Sequence, residues 1–404
     1  MRRWVVPYPK FGDGPGLARV AKIAAVLQLD LPAFGANGAV VVGSNGKGST
    51  AAMTAALLRE TGRSVGLFTS PHLFALNERF RIDDDDIDDD ALDHHWRRVA
   101  AAAGAAGEDA RLGGFEFLFL IAADWFAARG AAHTVWEAGI GGRLDPVKLV
   151  EARRVGLAAL DLEHTELLGA TLAEIARDKI DAAPEGARLY AGASCASERG
   201  AIETHAAQRK LSVTFTGEHD APLPGRFQRE NAALAVALAR DIAPMDEARI
   251  AAGLARVRWP GRLEVLDEAP LTVIDVGHTP AGVAAALQGF RALAGDRRAV
   301  LVCGVSRDKD AGAIVGALAP AFATVIAAQA LHKGAPAAEI AALASAANPH
   351  AEIVVAESVA DARQLALARA KAAGQVVYAA GGLFLASEFR CLHKGFDPAA
   401  LAFF

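Results

Sequence analysis

The sequence is poor in cysteine and contains no long apolar run. Its three cysteines, Cys195, Cys303 and Cys391, lie far apart and form neither a CxxC pair nor a metal-ligand spacing. This usage indicates free thiols and a reducing, cytoplasmic location. No stretch of about 18 consecutive apolar residues predicts a membrane span. The basic start, residues 1–4, is not followed by the apolar core of a secretory signal.

The sequence also lacks an excess of positive charge. Lys and Arg number 42 against 47 Asp and Glu, which gives a net charge of −5. This balance excludes the basic footprint that nucleic acid and anionic membranes require, so neither is an expected partner. The acidic run Asp83 to Asp90 lacks the glycine turn and spaced glutamate of a calcium loop. We expect a solvated turn there, followed by a helix with an acidic first turn.

One segment has the arrangement of a phosphate-binding loop. The apolar run Ala39 to Val42 predicts a buried strand, and Ala51 to Glu60 predicts a helix. Between them lies Gly43-Ser44-Asn45-Gly46-Lys47-Gly48-Ser49-Thr50. Backbone N–H groups of such a loop cradle phosphates, a lysine reaches the terminal phosphates, and a hydroxyl faces the metal. We therefore expect ATP contacts from Asn45, Gly46, Lys47, Gly48, Ser49 and Thr50. The alternative is a glycine-rich turn with a chance lysine.

Strand and helix patterns alternate over the whole chain, which predicts mostly parallel sheets. The pattern breaks at Trp259-Pro260-Gly261 and then restarts. We therefore expect two α/β domains, residues 1–258 with a phosphate-loop ATPase-like sheet and 259–404 with a smaller Rossmann-like sheet. The further predicted strands are Ser64 to Phe68, Thr134 to Ala138, Val155 to Leu160, Leu271 to Val276, Ala299 to Gly304, Ala323 to Ala328, Ile353 to Val355 and Val376 to Ala380.

An ordered set of short motifs spans both predicted domains. After the phosphate loop come Thr69-Ser70-Pro71-His72-Leu73, Glu137 to Asp145, Leu160 to His164 with Thr171, Asn231 to Ala235, Pro260-Gly261-Arg262, Asp275 to Pro280 and Gly304 to Asp310. In this order the motifs resemble those of the Mur ligase superfamily. The resemblance is to its folylpolyglutamate synthase/dihydrofolate synthase branch, of the bifunctional bacterial type. Any one motif is weak evidence, whereas the ordered set is specific.

The resemblance implies an ATP-dependent ligase that joins L-glutamate to dihydropteroate or reduced folates. A carboxylate anion resists attack by an amine, so ATP must first convert it to an acyl phosphate. The resemblance further implies Mg²⁺ held by Ser70, Glu137 and His164, with ATP as co-substrate. It also implies a monomer that acts in folate biosynthesis. Serine and glutamate oxygens suit Mg²⁺, whereas an isolated histidine such as His164 is more often structural.

Lys179 is expected on a helix that begins near Thr171. The resemblance implies that this lysine is carbamylated and, with Lys47 and His164, takes part in catalysis. Burial near other cations would give the amine the lowered pKa that this modification needs. The alternative is a surface lysine paired with Asp178 or Glu174. The sequence after it, Ile180-Asp181-Ala182, departs from the family pattern Ala-Gly-Ile.

Three further residues resemble the family's nucleotide contacts. They are Asn231, Arg262 and Asp275, and His278 is a candidate contact for the incoming amino acid. An arginine that follows a linker can couple domain closure to ATP binding. The alternatives are an interdomain salt bridge for Arg262, a helix N-cap for Asp275 and a structural role for His278.

The acid substrate is expected near two loops. Residues of Gly113 to Phe117 and of Arg143 to Asp145 resemble segments that contact the pterin-bearing acid, and they supply Phe115, Glu116, Arg143, Leu144 and Asp145. An aromatic plane, carboxylates and an arginine suit such a ligand. The alternative for Phe115 and Phe117 is a core position.

Two departures from the family pattern lie in these substrate-facing motifs. Pro146-Val147-Lys148 replaces Ala-Thr-Asn, and Thr279 replaces the asparagine of His-Asn-Pro. They leave open a specialised paralogue that joins an amino acid to another aromatic acid. A non-catalytic nucleotide-binding regulator is the remaining alternative, although such a protein would not need Glu137, His164, Lys179 and Arg262 together.

Overall fold

The chain forms two α/β units in the computed structural model, which describes residues 2–403. The first unit comprises the described residues up to Pro222 together with Gln228–Val257, and the second comprises Leu223–Phe227 and Arg258–Phe403. The expected fold class, two mostly parallel sheets with helices, is confirmed. The boundary at residue 258 stays a prediction, and so do the expected binding of ATP and the pteroate-like acid by residues 1–258 and of glutamate by residues 259–404.

The sheet of the first unit has eight strands within the described residues, in the order β4-β3-β2-β5-β1-β6-β7-β8. Strands β2, β5, β1, β6, β7 and β8 run parallel, whereas β3 and β4 add an antiparallel edge. The strands are β1 (Gly38–Val42), β2 (Val65–Phe68), β3 (Phe80–Ile82), β4 (Asp85–Asp86), β5 (His133–Glu137), β6 (Arg154–Leu157), β7 (Arg188–Ala191) and β8 (Ser212–Phe215).

Helices cover this sheet, and β1 is buried along its whole length, as expected for a central parallel strand. The core is built around the buried Trp136, whose ring contacts those of Phe34, Phe68, Phe119 and Phe126. The helices are α1 (Leu17–Val26), α2 (Ala33–Ala36), α3 (Lys47–Arg59), α4 (Asp89–Ala106), α5 (Gly114–Ala128), α6 (Thr165–Leu168), α7 (Leu172–Ile180), α8 (Arg199–Gln208), α9 (Arg226–Ile242) and α10 (Glu247–Arg256).

The acidic run contains the expected turn and helix start, and between them Asp85–Asp86 form the short strand β4, which was not expected. Asp83 and Asp84 adopt left-handed φ values of 56° and 73° in a turn. Asp88 then caps α4, because its side chain accepts a hydrogen bond from the N–H of Ala91. The first turn of α4 carries Asp89 and Asp90. Their negative charges interact favourably with the positive, N-terminal end of the helix dipole.

The sheet of the second unit has six strands within the described residues, in the order β13-β12-β11-β14-β10-β9. Only β9 is antiparallel to its neighbour. Tyr378 is buried in this core and stacks on Phe290 with ring centroids 4.2 Å apart. The strands are β9 (Glu264–Glu268), β10 (Leu271–Ile274), β11 (Ala299–Cys303), β12 (Thr324–Ala327), β13 (Glu352–Val355) and β14 (Val376–Ala380).

The helices of the second unit alternate with these strands. They are α11 (Pro280–Ala294), α12 (Ala311–Leu318), α13 (Ala337–Ala347), α14 (Val359–Ala373) and α15 (Leu383–His393). Among residues 2–403, no helix combines the length and the apolarity that crossing a bilayer requires. The three cysteines are buried free thiols, as expected.

Candidate active site

The motifs of the first unit meet at one edge of its sheet. Strands β2, β5, β1 and β6 are adjacent and parallel, so their carboxyl ends lie side by side. Ser70 follows β2, Glu137 ends β5, the phosphate-loop motif follows β1, and Glu163 and His164 follow β6. Ligands of open α/β sheets bind at this edge.

The loop after β1 has the backbone of a phosphate cradle. Gly43 and Gly46 have φ values of 146° and 82°, a region that glycine adopts without strain. A Cβ atom on Gly46 would lie 2.4 Å from Oδ1 of Asn231, so this position also needs glycine for space. Helix α3 begins directly at Lys47, four residues earlier than expected.

Segment 158–161, after β6, holds this loop from the side. The N–H of Ser44 donates to the carbonyl of Ala159 at 2.6 Å, and the Ser44 hydroxyl donates to the carbonyl of Asp161 at 3.1 Å. The side-chain amide of Asn45 donates to the Asp161 carboxylate at 3.3 Å. These bonds explain why β6 ends at Leu157 rather than at the expected Leu160.

Two lysines and one glutamate form a cluster at the loop, in which Lys179 is buried and Lys47 and Glu163 are half-buried. Lys47 Nζ donates to the carbonyl of Gly43 at 2.8 Å and, at 3.3 Å, to that of Ser44. Lys179 Nζ donates to the same Gly43 carbonyl at 3.0 Å and to Glu163 Oε1 at 2.9 Å. Lys179 is only 1% exposed. The surface alternative for Lys179 is therefore wrong: its partner is Glu163, whereas Glu174 caps α7 and Asp178 binds Arg143.

The charges in this cluster shift each other's pKa values. Burial lowers the pKa of Lys179, and the nearby charge of Lys47 lowers it further, although Glu163 acts in the opposite direction. Burial alone would raise the pKa of Glu163, but the two lysines outweigh burial and hold that pKa at about 2. Glu163 is therefore a carboxylate at neutral pH, and the amine of Lys179 loses its proton more readily than an exposed lysine does.

The expected metal ligands lie after β2, at the end of β5 and at the start of α6. Glu137 is buried, and its Oε2 accepts a hydrogen bond from the N–H of Ser70 at 2.9 Å. His164 has a left-handed φ of 47° at the start of α6 and is half-buried. Within residues 2–403, no cluster of three or more His, Cys, Asp and Glu side chains is arranged to hold a metal. The expected set includes the hydroxyl of Ser70 and stays a prediction.

A buried arginine stands behind Glu137. Arg79 Nε donates to Nδ1 of His72 at 2.9 Å, and its backbone carbonyl accepts from Thr69. Burial lowers the pKa of Arg79 to about 10, while the charges of Glu137 and Glu78 favour its cationic form. Arg79 thus holds the segment that carries Ser70 and compensates the charge of the buried Glu137 carboxylate.

Of the residues expected to contact the acid, 143–145 lie on a loop next to the lysine cluster, whereas Phe115 and Glu116 lie in the first turn of α5. Asp145 is buried and accepts hydrogen bonds from the N–H groups of Gly139, Ile140 and Val147 at 2.9–3.2 Å. Burial raises the pKa of Asp145 to about 7, although these N–H donors and Lys47 favour the carboxylate. Asp145 therefore shapes the loop from 139 to 147. Leu144 is 44% exposed beside it.

Three other expected contacts have protein partners. Arg143 donates to Asp178 at 3.1 Å and is half exposed. Glu116 is 9% exposed, and both its oxygens bind the buried Arg19 at 2.7 and 2.9 Å. Phe115 is half-buried, its ring packs on Gly139, and it lies 5.6 Å from the ring of Phe68. Phe117, in contrast, is a fully buried core residue. Substrate contact by Phe115, Glu116, Arg143, Leu144 and Asp145 stays a prediction.

Helix α9 presents two buried amides to the phosphate loop. Asn231 Oδ1 accepts from the hydroxyl of Thr50 at 3.4 Å, and Asn231 Nδ2 donates to Gln228 Oε1 at 3.0 Å. Gln228 Nε2 donates to Ser49 Oγ at 3.3 Å. The side chains of Ser49 and Thr50 thus both reach α9.

The expected residues of the second unit lie near the carboxyl end of β10. Asp275 is 2% exposed and accepts from the N–H groups of Leu263 and Gly277 at 3.0 and 2.7 Å. Burial raises its pKa, and the charge of Arg262 partly offsets this rise. Nε of Arg262 is buried without a hydrogen-bond partner. His278 is half-buried, with Nδ1 3.3 Å from the carbonyl oxygen of Val276. Thr279, rather than Asp275, caps α11.

Known proteins share this architecture and sequence. Residues 261–383 match the model of the Mur ligase glutamate ligase domain. The folylpolyglutamate synthase of Lacticaseibacillus casei is 31% identical over 320 residues, which cover 70% of this chain and 74% of that protein. The chain belongs to the folylpolyglutamate synthase/dihydrofolate synthase family of Mur ligases.

Other members of this family are longer. The probable bifunctional folylpolyglutamate synthases/dihydropteroate synthases of Halobacterium salinarum and Haloferax volcanii are 33% and 35% identical to this chain. The aligned residues cover 76% and 78% of this chain. The chain spans only 41% of the length of these two relatives.

Solved structures of family members superpose on nearly the whole chain. The folylpolyglutamate synthase of Mycobacterium tuberculosis, complexed with ADP and AMPPCP, gives a TM-score of 0.87 at 26% identity, with 95% of this chain and 96% of that chain covered. FolC of Escherichia coli, in complex with DHPP and ADP, gives 0.85 at 25%, with 96% and 95% covered. The Yersinia pestis enzyme, complexed with AMPPNP and a Mn ion, gives 0.81 at 25%, with 95% and 93% covered.

Sequence reasoning missed several residues of this family member's site. Glu163 was part of a motif, yet nothing in the sequence paired it with Lys179. Gln228 and Arg79 were not expected at the site, and Asp178 was named only as a possible surface partner of Lys179. The available signal for Gln228 was its place three residues before Asn231, which puts both side chains on one face of a helix.

Proposed function

We propose that this chain is an ATP-dependent ligase that joins L-glutamate to dihydropteroate or reduced folates through an acyl phosphate. The carrying observation is the convergence of Lys47, Lys179, Glu163 and Glu137 at the carboxyl edge of the first sheet, beside the loop from 43 to 46. Relatives in the family bind ADP, AMPPNP and DHPP. This agreement supports the same chemistry here.

The loop from 43 to 46 and the start of α3 would bind the ATP phosphates. Backbone N–H groups at the start of a helix favour anions, and Lys47 adds a charge. Lys47 Nζ now donates to loop carbonyls. It would exchange these neutral acceptors for phosphate oxygens, which form stronger, charge-assisted hydrogen bonds.

The residues at this edge also suit Mg²⁺. The hydroxyl of Ser70, the carboxylate of Glu137 and the imidazole of His164 would hold it, and hard oxygen donors predominate in this set. When bound, Mg²⁺ neutralises the phosphate charge that would repel the incoming carboxylate. A Mn ion accompanies AMPPNP in the Yersinia pestis relative. Lys179, as a carbamate, would add a further anionic oxygen beside these ligands.

The reaction then has two steps. A carboxylate oxygen of the acid attacks the γ-phosphorus of ATP, ADP leaves, and an acyl phosphate forms. The α-amine of glutamate attacks the acyl carbon, the bond between that carbon and the phosphate-bearing oxygen breaks, and phosphate leaves while the amine loses a proton. Lys47 would stabilise the negative charge that develops on the transferring oxygens.

The acid would lie against the loop from 139 to 147. Phe115 offers an aromatic face beside Gly139, Leu144 offers an exposed apolar side chain, and Arg143 is half exposed. Arg262, Asp275 and His278 are proposed to serve the nucleotide and the amino acid. The buried Nε of Arg262, which lacks a partner, favours an anionic ligand for this side chain.

One observation favours a specialised acid. The altered residues Pro146 and Val147 begin a short 3₁₀ helix whose cap is Asp145, and Val147 is fully buried. The family's threonine is thus replaced by the buried, apolar Val147, and its asparagine by the half-buried Lys148, next to the expected acid site. A ligase for another aromatic acid would carry this change without losing the ATP chemistry.

The test is ADP release by the purified chain with ATP, Mg²⁺ and L-glutamate. Turnover with dihydropteroate alone indicates a dihydrofolate synthase, and turnover with both dihydropteroate and tetrahydrofolate indicates the bifunctional enzyme. Release that needs L-glutamate and a different aromatic acid, but neither of these two, indicates the specialised ligase. ADP release that is independent of both acid and amine would contradict a ligase.

A further inference from the structure

Gln228 is the most deeply buried polar side chain that contacts the phosphate-loop helix from α9. It is 0% exposed, and its amide lies between Ser49 and Asn231. Its Nε2 donates to Ser49 Oγ at 3.3 Å, and its Oε1 accepts from Asn231 Nδ2 at 3.0 Å. A buried amide that satisfies two different partners fixes the orientation of both.

The contact continues through Asn231 to the loop itself. Asn231 Oδ1 accepts from the hydroxyl of Thr50 at 3.4 Å and lies 2.4 Å from the site of a Cβ on Gly46. Because Asn231 Oδ1 accepts from Thr50, Asn231 Nδ2 must face Gln228, and Gln228 Nε2 must face Ser49. The four side chains therefore form one directed chain, Thr50 to Asn231 to Gln228 to Ser49.

We propose that Gln228 is a positioning residue, which sets the hydroxyl of Ser49 and the amide of Asn231 for Mg²⁺–nucleotide binding. This inference rests on the proposed function, in which the start of α3 binds the phosphates, and it adds the hydroxyl of Ser49 to the groups that face the metal. A serine hydroxyl rotates freely unless it has a partner. The donor from Gln228 occupies one lone pair of Ser49 Oγ and leaves the other for a metal, before any ligand arrives.

A purely structural role for Gln228 makes a different prediction. Loss of packing alone would lower the stability and weaken nucleotide binding equally with and without metal. Loss of positioning would weaken mainly the part of the binding that depends on metal, because that part requires the Ser49 hydroxyl. Removal of a residue that orients a metal ligand typically weakens metal affinity by about 10- to 100-fold.

The experiment measures the Kd of ADP by calorimetry, once with millimolar Mg²⁺ and once with a chelator. The readout is the ratio of these two Kd values. A tenfold change in this ratio corresponds to about 1.4 kcal/mol of binding free energy. Gln228→Leu keeps the approximate volume and removes both hydrogen bonds. We expect it to reduce the Mg²⁺-dependent ratio about tenfold, with less than about a twofold change in chelator. Gln208→Leu, an exposed helical glutamine on α8, is the matched control and should leave the ratio unchanged.

A double-mutant cycle with Ser49→Ala decides whether Gln228 acts through Ser49. We expect Gln228→Leu to have no further effect on the ratio in the Ser49→Ala background, because the positioned hydroxyl is absent. Gln228→Asn, whose shorter amide stays polar, serves if the leucine variant fails to fold, and should give the same loss.

Two results would overturn the inference. One is equal weakening of ADP binding with and without Mg²⁺ in the Gln228 variants. The other is additive loss of the ratio in the double mutant. The proposed function fails separately: a wild-type chain that binds no ADP, with or without Mg²⁺, would contradict nucleotide binding by α3 itself and the positioning role with it.

Discussion

Lys47 is the residue on which the phosphate-loop assignment depends. Its amine donates hydrogen bonds to the neutral carbonyls of Gly43 and Ser44 at the start of α3. We expect Lys47→Ala to lower the rate of ADP release at least about 100-fold, the scale of losing one charged transition-state donor. Lys371→Ala, on an exposed face of α14, is the control and should retain the wild-type rate.

The fold should survive this substitution, because only two loop carbonyls lose a donor. Circular dichroism and the thermal midpoint of Lys47→Ala should therefore match those of the wild type closely. Wild-type turnover in a well-folded Lys47→Ala protein would rule out the phosphate-loop assignment.

Lys179 is the second test at the scale of residues. Its burial and lowered pKa favour the neutral amine that reacts with CO₂ to give a carbamate and a proton. With ¹³C-bicarbonate and Mg²⁺, we expect a lysine carbamate resonance in the ¹³C NMR spectrum of the wild-type chain. The resonance should vanish in Lys179→Arg and persist in Lys371→Arg. Its absence from the wild type, or its persistence in Lys179→Arg, would contradict the modification.

The sequence predicted which residue types gather at the site, but not how they pair. The motifs singled out Lys47, Glu137, His164 and Lys179 as candidate site residues. The bond between Lys179 and Glu163 could not be predicted, because it depends on how α7 returns to the loop after β6. Similarly, Glu116 lies in a substrate-like motif, yet the fold supplies Arg19 as its partner.

At the scale of elements, Thr279 shows how a departure from the family motif fits the fold. Its hydroxyl accepts from the N–H of Gly282 and caps α11, with Pro280 in the first helical position. We expect Thr279→Ala to lower the free energy of unfolding by about 1 kcal/mol, and Thr279→Asn by only a few tenths, since asparagine caps as well as threonine.

Urea unfolding of the two variants and the wild type measures this difference. Thr279→Asn restores the family residue and should keep the helix cap. Any effect of this variant on turnover is therefore separable from an effect on stability. Equal destabilisation by alanine and asparagine would show that the cap is not what Thr279 contributes.

Apart from β7, the parallel central strands of both sheets were predicted, whereas among the edge strands β4, β8, β9 and β13 only β13 was. Strands β1, β11 and β14 are continuous apolar runs, because helices cover both faces of a parallel sheet. Strand β9 has the sequence Glu-Val-Leu-Asp-Glu and β3 has only three residues, and both pair antiparallel near an edge. Such short or charged segments carry too weak a periodic signal to predict a strand.

The predicted start of helix α3 was wrong for a related reason. The run from Ala51 to Glu60 predicts a helix by composition, but α3 begins at Lys47. Glycine at positions 46 and 48 conceals this start, because glycine disfavours helix interiors. The left-handed φ of Gly46 and the support from segment 158–161 form the turn that starts the helix there.

At the scale of the whole molecule, the chain has two sheets of mostly parallel strands, and each sheet has its own carboxyl edge. The carboxyl edge of the first sheet carries the phosphate loop with its neighbouring lysines and carboxylates. The carboxyl edge of the second sheet carries Asp275 and His278. Family members of known structure share both sheets at TM-scores of 0.81–0.87. The proposed division of the reactants between the two units would suit a ligase that must activate one substrate before another attacks.

The central claim is that the acid is activated as an acyl phosphate, and an isotope label tests it most directly. The acid is supplied with ¹⁸O in its carboxylate, together with ATP, Mg²⁺ and L-glutamate, and the released phosphate is analysed by mass spectrometry. The account predicts one ¹⁸O atom in each phosphate released, because the attacking carboxylate oxygen leaves with the phosphoryl group. Product formation with unlabelled phosphate would contradict the acyl phosphate and the proposed function with it.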